Sequence, residues 1–327
     1  MILVTGAGGF IGTAVVSELA KRGICCRAVT RARRVGYFGI GNIDARTDWA
    51  AALDGVDVIL HLASRAHVTN ESIADLIAHF PTANVDATLN LARQAIRAGV
   101  KRFVFISSIK VNGEATEPGR RFKAEDKPNP QNPYSKSKLQ AERGLFALSA
   151  KSNLEVTVIR PPLVYGPGVK ANYATMMDWV DRGIPLAFGS VHNKRSFVFV
   201  DNLVDLIILA TTHPNAAGQV FLVSDGEDIS TTDLFRRMAE ALGRPSRVVP
   251  LPASFLSIAA AAFGQRAIAS RLTDSLQVDV TKTRELLGWV PRQDVKEGLR
   301  QTALAFRRPN SVLDQEARSL DQEARSA

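Results

Sequence analysis

The sequence predicts an α/β fold: a doubly wound parallel sheet with a smaller lobe drawn from the C-terminal third. Three observations carry that expectation. A short apolar run, Ile2-Leu3-Val4, enters a glycine-rich turn from Thr5 to Gly12 and leaves it as a helix with Ala14, Val15, Leu19 and Ala20 at helical spacing. Apolar strands and helices then alternate as far as about residue 160, the pattern of parallel strands joined by crossover helices. Finally, Tyr134-Ser135-Lys136-Ser137-Lys138 opens a helix after Asn132-Pro133, so that Tyr134 and Lys138 share one face.

Composition bounds the function. A chain of 327 residues can bury one large domain or two moderate ones, and 46% hydrophobic with 22% charged residues is ordinary for a soluble protein. A net charge of +9 points to an anionic partner. No basic run exceeds the Arg31 to Arg34 cluster, and no basic stretch is interleaved with aromatics, so a phosphorylated small molecule is expected and nucleic acid is not. No stretch reaches the roughly 18 apolar residues of a membrane span, and the first strand begins at Ile2, which leaves no room for a signal peptide; a cytoplasmic protein is expected. Cys25 and Cys26 are adjacent in a predicted strand whose side chains alternate faces, poor disulfide geometry, and read as reduced packing residues.

In chain order, Gly6, Gly9 and Gly12 form a GxxGxxG turn between strand and helix. Such a turn lets the backbone approach a pyrophosphate, and the free amides of the helix start, at Phe10, Ile11 and Gly12, favour its charge. The second strand, Ile24 to Thr30, would end in an acid if it gripped the ribose hydroxyls of NAD; it ends in Thr30-Arg31-Ala32-Arg33-Arg34. A guanidinium there can hold a 2′-phosphate, so NADP(H) is favoured, with NAD(H) the alternative. Asn42 and Ile43, in the next turn, are placed against the adenine. Val56 to Leu62 is a third strand, and Leu62, Ala63 and Ser64 fall at the carboxyl edge, where ligands bind in open sheets. His61 and His67 are read as structural.

A helix is predicted from about Thr82 to Ala98, a fourth strand over Arg102 to Ser107, a fifth over Glu155 to Ile159, and a further core strand over Gln219 to Val223. Shorter elements fall at Phe197 to Val200 and Leu203 to Ala210. The expected organisation is a dinucleotide domain over 1–168, completed by about 197–225, with a substrate lobe from 169–196 and 226–310. Leu256 to Phe263 reads as a buried helix. The heptapeptide Leu313 to Ser319 recurs as Leu320 to Ser326, and one apolar residue per copy cannot bury much, so 311–327 is expected to be disordered. The Tyr134/Lys138 pair has a chemical use: an ammonium beside a phenol lowers its pKa and makes it a general base.

Together, Gly6, Gly9, Gly12, Ser108, Tyr134 and Lys138 make the chain resemble the extended short-chain dehydrogenase/reductase family of nucleotide-sugar enzymes, over roughly residues 1 to 305. Supporting motifs are His61-Leu62-Ala63, Asn84-Val85, Arg160 to Pro167, Arg195 to Asp201 and Glu285 to Pro291. The resemblance implies a Rossmann-type sheet and an oxidoreductase acting at C4 of a UDP-sugar. It implies Ser108 and Tyr134 at the reacting oxygen, and Lys138 on the nicotinamide ribose and lowering the Tyr134 pKa. Asn84 and Pro161 would line the cofactor. Asn172, Arg195 and Arg271 would meet the substrate diphosphate. It also implies a homodimer formed through helices at 82–98 and 134–150. No metal site is expected.

Two departures set the finer expectation. Ser108-Ile109-Lys110-Val111-Asn112-Gly113 replaces the S-A-T-V-Y-G of many 4-epimerases, which would put Lys110 and Asn112 near the sugar. The acid after the second strand is missing. Both favour a reductase of a UDP-4-keto-6-deoxy-N-acetylhexosamine in surface-polysaccharide synthesis. The alternatives are a UDP-hexose 4-epimerase with tightly bound NAD and a non-catalytic dinucleotide sensor.

Overall fold

The computed structural model describes residues 1–64, 81–251 and 272–307. His67, the Leu256 to Phe263 segment, Arg271 and the C-terminal repeat lie outside the described residues. A seven-stranded parallel sheet holds β1 (Ile2–Thr5), β2 (Cys26–Thr30), β3 (Phe38–Gly39), β4 (Val58–His61), β5 (Arg102–Ile106), β6 (Glu155–Arg160) and β9 (Val220–Leu222), in the order β3-β2-β1-β4-β5-β6-β9. The order reverses between β1 and β4, and a crevice at the carboxyl ends of the strands on either side of such a reversal is where dinucleotides bind in folds of this kind.

Successive strand residues serve opposite faces. Leu3, Ile59, Phe103, Phe105, Val156 and Val158 pack with the short helix α2 (Ala50–Leu53), with α3 (Ala87–Arg97) and with α4 (Pro133–Ser149). Val4, Leu60, Val104, Ile106 and Ile159 pack on the other side with α1 (Phe10–Lys21) and α6 (Val200–Thr212). Because both faces are covered, these strands read as continuous apolar runs.

A second sheet is built from β7 (Leu163–Tyr165), β8 (Arg195–Phe199) and β10 (Asp228–Ile229), in the order β10-β8-β7. The helices α5 (Ala171–Asp181), α7 (Thr231–Ala241), α8 (Thr281–Leu287) and α9 (Val295–Arg307) complete the described part. Asp225 ties this region to the main sheet: its carboxylate accepts from the Phe199 amide, from Asn202 and from the Tyr165 hydroxyl.

Some expectations change. The predicted helix from Thr82 begins as a wide π-type turn, Pro81–Asp86, before α3. Residues 169–195, where the sequence shows no single pattern, contain α5, and β7 precedes them. The two cysteines are free, but only Cys26 packs against the core, while Cys25 is exposed.

Candidate active site

The glycine turn lies flat on the end of β4. Gly6 has φ +68°, and a Cβ there would stand 2.7 Å from the Ala63 nitrogen; one on Gly12 would stand 2.1 Å from the Gly6 carbonyl oxygen. The turn itself therefore demands glycine at both positions. Gly9 caps α1 without a side chain, the first turn of α1 holds no acidic residue, and the first intrahelical bond runs from the Thr13 amide to the Gly9 carbonyl. The amides of Phe10, Ile11 and Gly12 are thus the donors of a helix start that no side chain among the described residues caps, a fit for a pyrophosphate. Next to the turn, the Thr30 hydroxyl donates to the Ala32 carbonyl at 2.7 Å, and the Gly41 amide donates to the Arg31 carbonyl at 3.0 Å. That bond brings exposed Arg31 beside exposed Asn42, while Ile43 packs inward.

At the end of β4, Ser64 donates to the Asn84 side-chain oxygen at 3.4 Å, Asn84 donates to Ser137 at 3.1 Å, and Ser137 donates to the Tyr134 carbonyl at 2.8 Å. This run couples the strand edge to the first turn of α4. That helix starts sharply because Asn132 and Ser135 form a reciprocal capping box and Pro133 occupies the first turn.

The acid-base pair differs from expectation in its electrostatics. Lys138 is buried, donates to the Ile106 carbonyl at 2.8 Å, and has its Nζ 4.5 Å from the Phe105 ring centroid and 5.9 Å from that of Tyr134. Burial lowers its pKa to about 7, opposed by the charge of Glu142. Tyr134 is raised above its ordinary value, because burial outweighs a lowering hydrogen bond from Ser64. The expected lowering of the phenol by Lys138 is therefore absent here: desolvation acts on both groups, and the ammonium is turned to a carbonyl.

The two serines at the end of β5 separate cleanly. Ser107 is buried and donates to Glu142 at 2.5 Å, while half-buried Ser108 caps the short turn Ile109–Val111, its hydroxyl accepting from the Lys110 amide at 3.3 Å. Pro161 is buried and its carbonyl accepts from the Ile109 amide at 3.0 Å. Lys110 pairs with Glu114 at 3.3 Å, and Glu114 also accepts from Asn132. Asn112 does not match its expected place against the sugar. It is buried, its amide nitrogen donates to the Lys123 carbonyl and its oxygen accepts from Arg160, so both ends are spent inside the protein.

Asn172 is exposed in the first turn of α5. Arg195 is half-buried at the start of β8, donates to the Asp274 carbonyl at 2.8 Å, and is lowered by burial against the opposing charges of Asp274 and Glu114. Among the described residues, no group of His, Cys, Asp or Glu could hold a metal ion, and no helix is long and apolar enough to cross a membrane.

His61 is structural, as expected. Buried between Thr5 (2.8 Å) and Thr88 (2.9 Å), it has its pKa lowered from 6.5 to about 3 by burial and then by the charge of Lys138. A base held neutral in the fold lets the unfolded chain bind more protons below pH 6.5, so stability is full above that value and is lost as pH falls toward 3. The expected result is that denaturant midpoints measured from pH 7 to pH 4 fall less steeply for His61→Asn than for the wild type; parallel curves would remove His61 from the acid sensitivity.

Sequence reasoning missed Glu142 and the role of Arg160. Arg160 donates to Glu142 through Nε at 3.0 Å and Nη2 at 2.5 Å, and both side chains are almost wholly buried. The only signal was a Lys138/Glu142 spacing of four, indistinguishable from an ordinary surface pair.

A parallel sheet with an uncapped glycine turn at its reversal, and a Tyr/Lys face over the neighbouring strand ends, defines a dinucleotide-dependent enzyme of the Rossmann type. The model of the NAD dependent epimerase/dehydratase family matches residues 2–224, and the chain belongs to that family. It is 48% identical to a UDP-glucose 4-epimerase of Vibrio cholerae over 95% of this chain and 96% of the relative. It is 31% identical to a UDP-glucose 4-epimerase of Mycolicibacterium smegmatis over 93% and 98%. The solved structure of MoeE5 in complex with UDP-glucose and NAD superposes with a TM-score of 0.74 at 28% identity, covering 94% of this chain and 98% of that one.

Proposed function

We propose that the protein is a UDP-hexose 4-epimerase that retains its dinucleotide through each turnover. The observation that carries this reading is the 48% identity to the Vibrio cholerae UDP-glucose 4-epimerase across nearly the whole of both chains. The reductase expectation leaned on Lys110 and Asn112 facing the sugar and on the missing acid after the second strand. With Asn112 spent on Arg160 and Lys123, part of that support is gone.

When bound, the nicotinamide supplies the acceptor and donor of the C4 hydride. Tyr134 takes the proton from O4 as the alcohol is oxidised and returns it to the same oxygen after the sugar has turned. Ser108 hydrogen-bonds that oxygen. Lys138, freed from the Ile106 carbonyl, holds the ribose and lends the positive charge that favours a phenolate. The amides of Phe10, Ile11 and Gly12 take the pyrophosphate of the cofactor, and Leu62, Ala63, Ser64, Asn84 and Pro161 line it. Arg195 and Asn172 take the diphosphate of the UDP-sugar, with Arg271 and Lys110 as further contacts. The loop after β2 presents Arg31 and no carboxylate, which supports NADP as the dinucleotide. α3 and α4 are the proposed homodimer face.

Purified protein given UDP-glucose and no added cofactor is expected to form UDP-galactose, with no net change in reduced nicotinamide, and mass spectrometry is expected to find NADP retained. Retained NAD would make Arg31 a solvated loop residue. Failure to interconvert UDP-hexoses or their N-acetyl forms, together with stoichiometric NADPH oxidation by a 4-keto-6-deoxy UDP-sugar, would establish the reductase instead.

A further inference from the structure

Three elements meet beneath the Ser108 turn in a buried polar cluster of which the proposed chemistry uses Lys138 alone. From α4, Lys138 donates to the Ile106 carbonyl at 2.8 Å, and one turn later Glu142 accepts from the Ser107 hydroxyl at 2.5 Å. From β6, Arg160 grips both carboxylate oxygens of Glu142 and donates to the Asn112 side chain at 3.0 Å. The next residue in the chain, Pro161, accepts from the Ile109 amide at 3.0 Å. Ser108 thus stands between two residues held from outside the turn; its own carbonyl accepts from the Val111 amide at 3.0 Å within the turn, and among the described residues its hydroxyl has only the Lys110 amide against it, at 3.3 Å.

A buried ion pair is poor evidence for stability, because apolar residues of similar volume often serve as well, whereas fixing a geometry is a use that packing alone does not supply. We propose that Glu142, oriented by Arg160, is a positioning residue that locks the end of β5 to the Tyr134/Lys138 helix and so sets where the Ser108 hydroxyl stands relative to the phenol. This rests on the reading of Ser108 and Tyr134 as the proton-handling pair. Glu142 touches neither substrate nor cofactor in this scheme. Its effect is on kcat through geometry, since a small misplacement of a reacting group is costly.

Two variants test it. Ser107→Ala removes one bond of the clamp and leaves the ion pair whole. Glu142→Met/Arg160→Met replaces the pair with apolar side chains, leaving no lone buried charge. Each is followed by thermal melting, by hydrogen exchange at the Ile109 amide in the substrate-free protein, and by steady-state turnover of UDP-glucose. The expected result is a melting temperature close to wild type, Ile109 exchange at least tenfold faster, and kcat reduced tenfold or more with KM within about twofold. Exchange and kcat both within twofold of wild type in folded Ser107→Ala would overturn the proposal, and that variant decides alone if the double variant does not fold. Exchange needs no substrate: faster exchange in a protein that turns over no UDP-hexose would uphold the clamp while the epimerase reading fell.

Discussion

Replacing Tyr134 with Phe is expected to cut turnover of UDP-hexose by about 100- to 10,000-fold, the range for removal of a general acid-base group. The ring keeps its place: it lies along the first turn of a helix started by the Asn132/Ser135 capping box, and Ser137 holds the Tyr134 backbone carbonyl rather than its hydroxyl. The phenol oxygen and its bond to Ser64 are lost. Retained dinucleotide per subunit should stay within about twofold of wild type, because the turn at Gly6 to Gly12 is untouched. Activity within about threefold of wild type, with cofactor still bound, would remove Tyr134 from the reaction.

Arg160→Met alone is expected to be the most destabilising single change in the site. It leaves the Glu142 carboxylate, 2% exposed, without its counterion, and it takes the donor from the Asn112 oxygen, 3% exposed. Breaking a buried pair from one side costs about 3–5 kcal/mol, a large share of the roughly 5–15 kcal/mol that holds a domain folded. Urea midpoints should therefore drop sharply for Arg160→Met and recover for Glu142→Met/Arg160→Met. If the single and double variants unfold at the same midpoint, the cost lies in lost packing and not in the stranded charge.

The parts of this site that could be read in the sequence are those set by local spacing. Gly6 and Gly12 announce a close turn because no other residue fits there, and Tyr134/Lys138 announce a shared face because four residues make about one helical turn. The central strands were legible since burial on both faces leaves long apolar runs, whereas β3 and β7, two and three residues long, carry too little pattern to see. What stayed hidden depends on direction and distance. Asn112 stands four residues from Ser108 yet is turned into the protein by Arg160, and the Tyr134 phenol is governed by desolvation that no spacing reveals. Glu142 lies 18 residues before the arginine that completes it.

The strand order also bears on how the chain comes off the ribosome. β6 pairs with β5 on one side, but its other edge waits for β9, and about sixty residues separate Arg160 from Val220. At synthesis rates of about 5–20 residues per second, that edge stays open for roughly 3–12 seconds in every nascent copy. Glu155 is exposed there, but Val156, Val158 and Ile159 make a largely apolar strand with unpaired amides and carbonyls, the kind of template on which a second chain can add itself. Yield in a cell should then depend on translation speed and holdase chaperones between these two points more than on the stability of the finished fold.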